Sequence, residues 1–213
     1  MGLVARLLLR MKRGDNVVLS REATGQMTEE ELISRCRAGE LEAFAVIYER
    51  YGTQVYRYAY HLLGHREDAD DIKQETFVRA HQAIGKFRCE ASLRTWLLRI
   101  CANLCRDRIK SWERRKVAYN SELPEPLWNP STHEDTSPYA VVERADTNAL
   151  ILRALHGLPA GHREVIILHD VEEMNYEEIA GILGCSHASA KLRVFRARRK
   201  LRERVTALLE VRE

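Results

Sequence analysis

The sequence predicts an all-α protein: two small helical domains joined by a flexible acidic linker. Three observations carry this reading. Apolar residues recur at three- and four-residue spacing through most of the chain. Glycine and proline number only 11 and 5 in 213 residues, too few for a many-turned β fold. Four of the five prolines, Pro124, Pro126, Pro130 and Pro138, crowd into one stretch, and proline at that density excludes helix interiors and sheet ladders.

That stretch divides the chain. From Val117 to Tyr139 there are four acidic residues, Glu122, Glu125, Glu134 and Asp135, and no Lys or Arg. The expected organisation is an extension over 1–27, a first domain over 28–116, a linker over 117–139 and a second domain over 140–213. The extension lacks periodicity and reads as disordered or as a misassigned start, with Met11 and Met27 as other beginnings. Its apolar run Leu7–Leu9 is broken by Arg6 and Arg10. No stretch approaches the roughly 18–20 apolar residues of a membrane span, and no small-residue cleavage site follows the run. The expectation is a cytoplasmic protein without membrane insertion.

In the first domain, Thr28 followed three residues later by Glu31 predicts a capped helix start. Leu32, Ile33 and Cys36, then Leu41, Phe44, Ala45, Ile47 and Tyr48, follow helical spacing, with Gly39 as the break. A further helix is expected over 55–63, ending at Gly64, and another over 67–84, ending at Gly85. In the latter, Ala69, Ile72, Phe77, Ala80 and Ile84 face a core, while Asp71, Gln74, Glu75 and Val78 form a separate stripe. An acidic stripe suits a protein partner or plain solvent better than phosphate. Ser92 then caps a helix in which Leu93, Leu97, Ile100 and Leu104 are core positions. On another face Arg99, Asn103, Arg106 and Lys110 line up. The cations suit phosphates, and the amide can read a base edge. Phe87, Trp96 and Trp112 lie among these charges as stacking faces for unpaired bases or as core.

In the second domain, Ala149, Leu152, Leu155 and Leu158 form one helical stripe. The run Val165–Leu168 has strand propensity but reads as a buried helix, because Pro159 suits a helix start and no partner strand lies nearby. Ile179, Ala180 and Leu183 bury a short helix, Gly184 makes a turn, and Ser186 caps the next helix. There Ala190, Val194, Ala197 and Leu201 face inward while Lys191, Arg193, Arg196, Arg199 and Lys200 face out. This is a helix-turn-helix pattern whose second helix suits a major groove.

Charge agrees with that reading. The whole chain carries only +3, but residues 85–116 hold ten Lys/Arg against Glu90, Asp107 and Glu113, and residues 186–204 hold eight against Glu203. Two strongly basic blocks flanking an acidic linker fit one polyanion.

Together these residues resemble the extracytoplasmic-function sigma factors, bacterial initiation subunits built from sigma domains two and four. The resemblance covers about 28–209. It rests on Asp68–Phe77, Phe87-Arg88, Thr95–Ile100, Asn103 and Asp107, then on Leu158-Pro159, Arg163, Tyr176–Ala180, Leu183-Gly184 and Phe195–Arg198. The resemblance implies several roles. Asp71, Gln74 and Glu75 would dock on the clamp helices of the RNA polymerase β′ subunit. Phe87, Arg88, Arg94, Trp96, Arg99, Asn103, Arg106 and Lys110 would bind the −10 element and hold a flipped base. His187, Ser189, Lys191, Arg193, Arg196 and Arg199 would read the −35 element as promoter DNA duplex. It further implies an anti-sigma protein partner and no cofactor. Three positions depart from the family pattern: Cys89, where Gly commonly follows Phe-Arg; Ala188-Ser189-Ala190, where Gly-Thr-Val is usual; and Leu192, where a small polar residue is common.

Other functions remain at this point. A one-component helix-turn-helix regulator explains the second domain but not the Trp96–Asn103 segment. An enzyme finds no phosphate loop, HExxH or nucleophile elbow. The odd count of five cysteines fits no disulfide framework. Cys101 and Cys105, four apart, are either packed residues or, with Cys89 and His187, a metal or redox sensor.

Overall fold

The computed structural model describes residues 27–119 and 150–210. The N-terminal extension up to residue 26, the proline-rich stretch and Ala149 lie outside the described residues. Two compact units are present: residues 27–59 with 66–107, and residues 60–65 with 108–119 and 150–210. Among the described residues there is no strand.

Helix α1 (Glu29–Arg37) starts with the expected capping box. The Glu31 amide donates to Thr28 Oγ1 at 3.2 Å and the Thr28 amide donates to Glu31 Oε2 at 2.9 Å. Glu29 works at a distance. One carboxylate oxygen accepts from the Tyr51 hydroxyl at 2.6 Å, and the other accepts from the Leu93 amide at 3.1 Å. It thereby satisfies an otherwise orphan donor at the start of another helix. Burial, with Glu29 as acceptor, pushes the Tyr51 hydroxyl up to about 12.

Helix α2 (Leu41–Leu63) is continuous, where the sequence predicts two pieces. Phe44, Ile47, Tyr51, Val55, Tyr58 and Leu62 form one buried stripe through the middle of it. Burying such side chains gains about 1.5–3 kcal/mol each. The helix penalty of Gly52 is only about 1 kcal/mol, so the stripe wins. Helix α3 (Arg66–Ala83) ends in a 3-10 turn, Ile84–Lys86. Its expected core residues are buried, and the Phe77 ring packs on Phe44 and Tyr48 at 6.3 and 4.7 Å.

Helix α4 (Leu93–Tyr119) is the longest among the described residues. Ser92 caps it through the Thr95 amide at 3.1 Å. Leu93, Leu97 and Leu104 are buried as expected. Ile100 is not; it is half-exposed, and Leu98, Cys101, Ala102 and Cys105 complete the buried face. The helix runs three residues into the span read as linker, consistent with the first proline lying at 124.

In the second unit residues 150–156 are helical (α5), and α6 (Ala160–Ile166) follows Pro159. Arg163 closes the turn between them by donating from Nη2 to the carbonyls of His156 and Leu158 at 2.7 and 3.2 Å. The apolar run Val165–Leu168 is buried and helical, passing into a π-turn over Ile167–Val171. Helix α7 (Tyr176–Leu183) has its own capping box, Asn175 with Glu178. Ile179, Ala180 and Ile182 are its buried residues, with Leu183 half-buried at the edge. Gly184 takes φ +62, a left-handed turn that costs glycine no Cβ clash. Helix α8 (His187–Glu210) completes the helix-turn-helix. No described helix is long and apolar enough to cross a membrane.

Candidate nucleic-acid interface

The α7–Gly184–α8 element fixes the clearest surface. Ser186 caps α8 through the Ser189 amide at 3.2 Å. Ala190, Val194 and Ala197 are buried, which locks the rotation of α8 about its axis. The opposite side must then point outward. His187, Lys191, Arg193, Arg196 and Arg199 are all exposed, and Ser189 is half-buried beside them. No carboxylate lies on α8 before Glu203, so every charged side chain on this face up to that point is positive. Such a face meets phosphates and base edges together.

Arg198, in the same basic run, has a different task. Its Nε lies 3.1 Å from both carboxylate oxygens of Asp170 at the π-turn, and its Nη2 also reaches Asp170 and His169. Burial works against the Asp170 charge, but the Arg198 and His169 hydrogen bonds prevail and hold its carboxyl below the usual value. Tyr176 stacks on His169 at 5.0 Å and meets His187 edge-on at 5.7 Å. The basic run alone could not separate this structural arginine from its neighbours; the distinguishing signal is a carboxylate 28 residues earlier.

The second basic surface lies along α4. Arg99, Asn103 and Lys110 are exposed and Arg106 is half-buried. Arg106 Nη1 donates to Asn103 Oδ1 at 2.7 Å, so two of the predicted contacts form one unit. Trp96 and Arg94 are half-buried, and Arg88 is exposed 4.0 Å from Glu90. Phe87 departs from expectation. It is only 7% exposed, its ring packs on Trp96 at 4.8 Å, and its carbonyl accepts from Arg37 Nη2 at 2.5 Å. It anchors the loop and does not offer a stacking face in this conformation. Trp112 meets His65 edge-on at 5.5 Å. His81, on α3, packs edge-on against Phe44 at 4.9 Å.

Along α3, Asp71 is exposed while Gln74, Glu75 and Val78 are half-buried. Glu75 pairs with Arg79 at 2.7 Å, so the stripe is partly neutralised along its own helix. Lys73 lies over the Tyr48 ring at 5.0 Å.

The cysteine cluster does not assemble. Cys101 and Cys105 are fully buried in the core, Cys101 Sγ lies 3.8 Å from the Val55 carbonyl, and Cys89 is exposed on its loop. Among the described residues no group of three or more His, Cys, Asp or Glu could hold a metal ion. Cys89 instead takes φ +57, a left-handed conformation that glycine adopts more readily.

Residues 47–115 match the family Sigma-70 region 2, and residues 148–201 match Sigma-70, region 4. The ECF RNA polymerase sigma-E factor of Haemophilus influenzae is 28% identical over 192 residues, covering 86% of this chain and 98% of its own. The ECF RNA polymerase sigma factor SigW of Bacillus subtilis is 30% identical over 188 residues, covering 86% of this chain and 100% of its own. Among solved structures, the sigma factor RpoE from Bartonella quintana, in complex with the anti-sigma factor NepR, is similar with a TM-score of 0.61. That likeness covers 76% of this chain and 96% of that one at 26% identity.

Proposed function

The chain belongs to the extracytoplasmic-function RNA polymerase sigma factors of the sigma-70 family, and from that premise we propose how its residues divide the work of promoter-specific transcription initiation. Sigma domain two occupies 28–116 and sigma domain four 140–213, with 117–139 between them. Asp71, Gln74 and Glu75 dock on the β′ clamp helices of core polymerase. Arg88, Arg94, Trp96, Arg99, Asn103, Arg106 and Lys110 contact the −10 element, with Phe87 supporting the loop from beneath. His187, Ser189, Lys191, Arg193, Arg196 and Arg199 contact the −35 duplex. The protein acts in the cytoplasm, where polymerase and promoter are, and performs no catalysis of its own.

The observation that supports this reading most is the seating of α8. Its small residues are buried, and the cations chosen for DNA are exposed on the other side. An anti-sigma protein as regulator is supported by the RpoE–NepR structure, which shows a similar chain held by such a partner. Run-off transcription with core polymerase on a library of upstream regions tests the proposal. Activity confined to templates sharing two spaced elements supports it; equal transcription from all templates, or none, refutes it.

A further inference from the structure

The most exposed face of α8 is not wholly polar. Leu192 is 46% exposed and Phe195 is 65% exposed, both large apolar side chains in water. Leu192 sits at the centre of this face. Ala190, Val194 and Ala197 are the buried positions, and Leu192 falls almost opposite them at helical spacing. Its neighbours along the face are Ala188 at i−4, Phe195 and Arg196 at i+3 and i+4, and Arg199 at i+7.

We infer that Leu192 is a base-reading residue that selects thymine in the upstream promoter element by contact with the C5-methyl group; this rests on the placement of α8 in the −35 major groove. The chemistry is restrictive. A leucine side chain neither donates nor accepts hydrogen bonds. Against most of a major-groove edge it would bury donors and acceptors without partners. The thymine methyl is the apolar group on that edge. The surrounding Lys191, Arg193, Arg196 and Arg199 supply the charge complementarity that brings this leucine to DNA. Ala188, one turn earlier, is small and leaves room for the methyl beside Leu192. A protein surface could also cover these apolar residues, but four exposed cations with no carboxylate among them fit a polyanion better.

The test uses holoenzyme assembled from the full chain and core polymerase. A promoter duplex is selected from a random upstream library, then remade with each upstream thymine singly replaced by deoxyuracil, which deletes only the methyl. At one or two positions the replacement should weaken wild-type binding about fourfold, the worth of one buried methyl-sized group. The Leu192→Ala holoenzyme should lose that sensitivity, while Leu209→Ala, an exposed apolar control near the end of α8, should keep it. The inference is overturned if the selected element lacks thymine, if no deoxyuracil duplex binds more weakly, or if Leu192→Ala retains the wild-type sensitivity. It is also overturned if Leu192→Ala leaves DNA binding intact and instead abolishes binding of an anti-sigma protein. Arg196→Ala separates the two levels. If it weakens duplex binding while Leu192 proves silent, the helix placement stands and only the thymine readout fails. If it changes nothing, the placement itself fails.

Discussion

Arg198 on the recognition helix chelates Asp170 at the π-turn, with its Nε 3.1 Å from each carboxylate oxygen. A charge inside a DNA-binding run is thus spent on holding that helix to its own domain. Asp170→Asn should lower the stability of the second domain by about 1 kcal/mol, the upper range for partly exposed pairs. The pH dependence has a definite sign. The folded Asp170 carboxyl lies below its ordinary value of 3.8, so its contribution is present above that value and fades as pH falls through the folded one. Urea unfolding between pH 5 and 2.5 should show the gap between wild type and Asp170→Asn closing on acidification. A constant gap would assign the loss to packing and not to charge.

His156 gives a second pH signature in a different window. Burial first, and then the neighbouring Arg163 charge, push its imidazole from 6.5 down to about 4. Between those values the unfolded chain carries a proton that the folded chain lacks, so stability falls with acid through that window and levels off below it. NMR titration of the ring protons should find His156 still neutral at pH 5, where a free histidine is charged. A His156 midpoint near 6.5 would contradict the packing described for the α5–α6 turn.

How much of this was legible in the sequence depends on where the deciding partner sits. Thr28 and Glu31, or Ser92 and Thr95, declare their caps because both partners are local. The helix-turn-helix was legible for the same reason: Gly184 and the small residues Ala180, Ala190 and Ala197 lie within a few turns of one another. Glu29 capping α4 was not legible, since its partner Leu93 is 64 residues away. Nor was the burial of Phe87, which depends on Trp96 and on Arg37 50 residues earlier. The continuity of α2 through Gly52 needed the strength of a buried stripe that only packing reveals.

Asn103 and Arg106 should behave as one unit in promoter opening. Their 2.7 Å hydrogen bond means that removing the amide also takes one partner from the guanidinium. Asn103→Ala should therefore impair opening by about 1–3 kcal/mol, and the double Ala variant should lose less than the sum of the two single losses. Permanganate footprinting of holoenzyme on a selected promoter measures this. Strict additivity would show that the pair is not coupled on DNA.

The α3 stripe should be tested for polymerase binding with its internal pair in mind. Asp71 is exposed, but Glu75 is already engaged by Arg79 at 2.7 Å. Asp71→Lys should weaken capture of core polymerase more than Glu75→Gln does, and the Asp71→Lys/Glu75→Lys double variant should weaken it most. Helical content should stay unchanged by circular dichroism, because neither side chain is buried. A double variant that captures core as well as wild type would remove this face from the interface.

Cys89 separates a backbone role from a sensing role. Its φ of +57 places a β-carbon where an L-residue is disfavoured, at a cost of roughly 1–2 kcal/mol. Glycine removes that clash but adds about 0.5–1 kcal/mol of unfolded-state entropy. Cys89→Gly should therefore stabilise the first domain slightly, by up to about 1 kcal/mol, whereas Cys89→Ala, which keeps the β-carbon, should be nearly neutral. A thiol that bound metal or responded to oxidant would give another pattern: both substitutions would change zinc uptake or the response to peroxide, with the two variants alike. Cys101 and Cys105 cannot supply that behaviour from this conformation, because both thiols are fully buried. Thermal melts of the three proteins, run with and without zinc and with and without peroxide, distinguish the roles. A gain for glycine alone, indifferent to both additives, is the outcome expected of a position whose chemistry is its backbone angle.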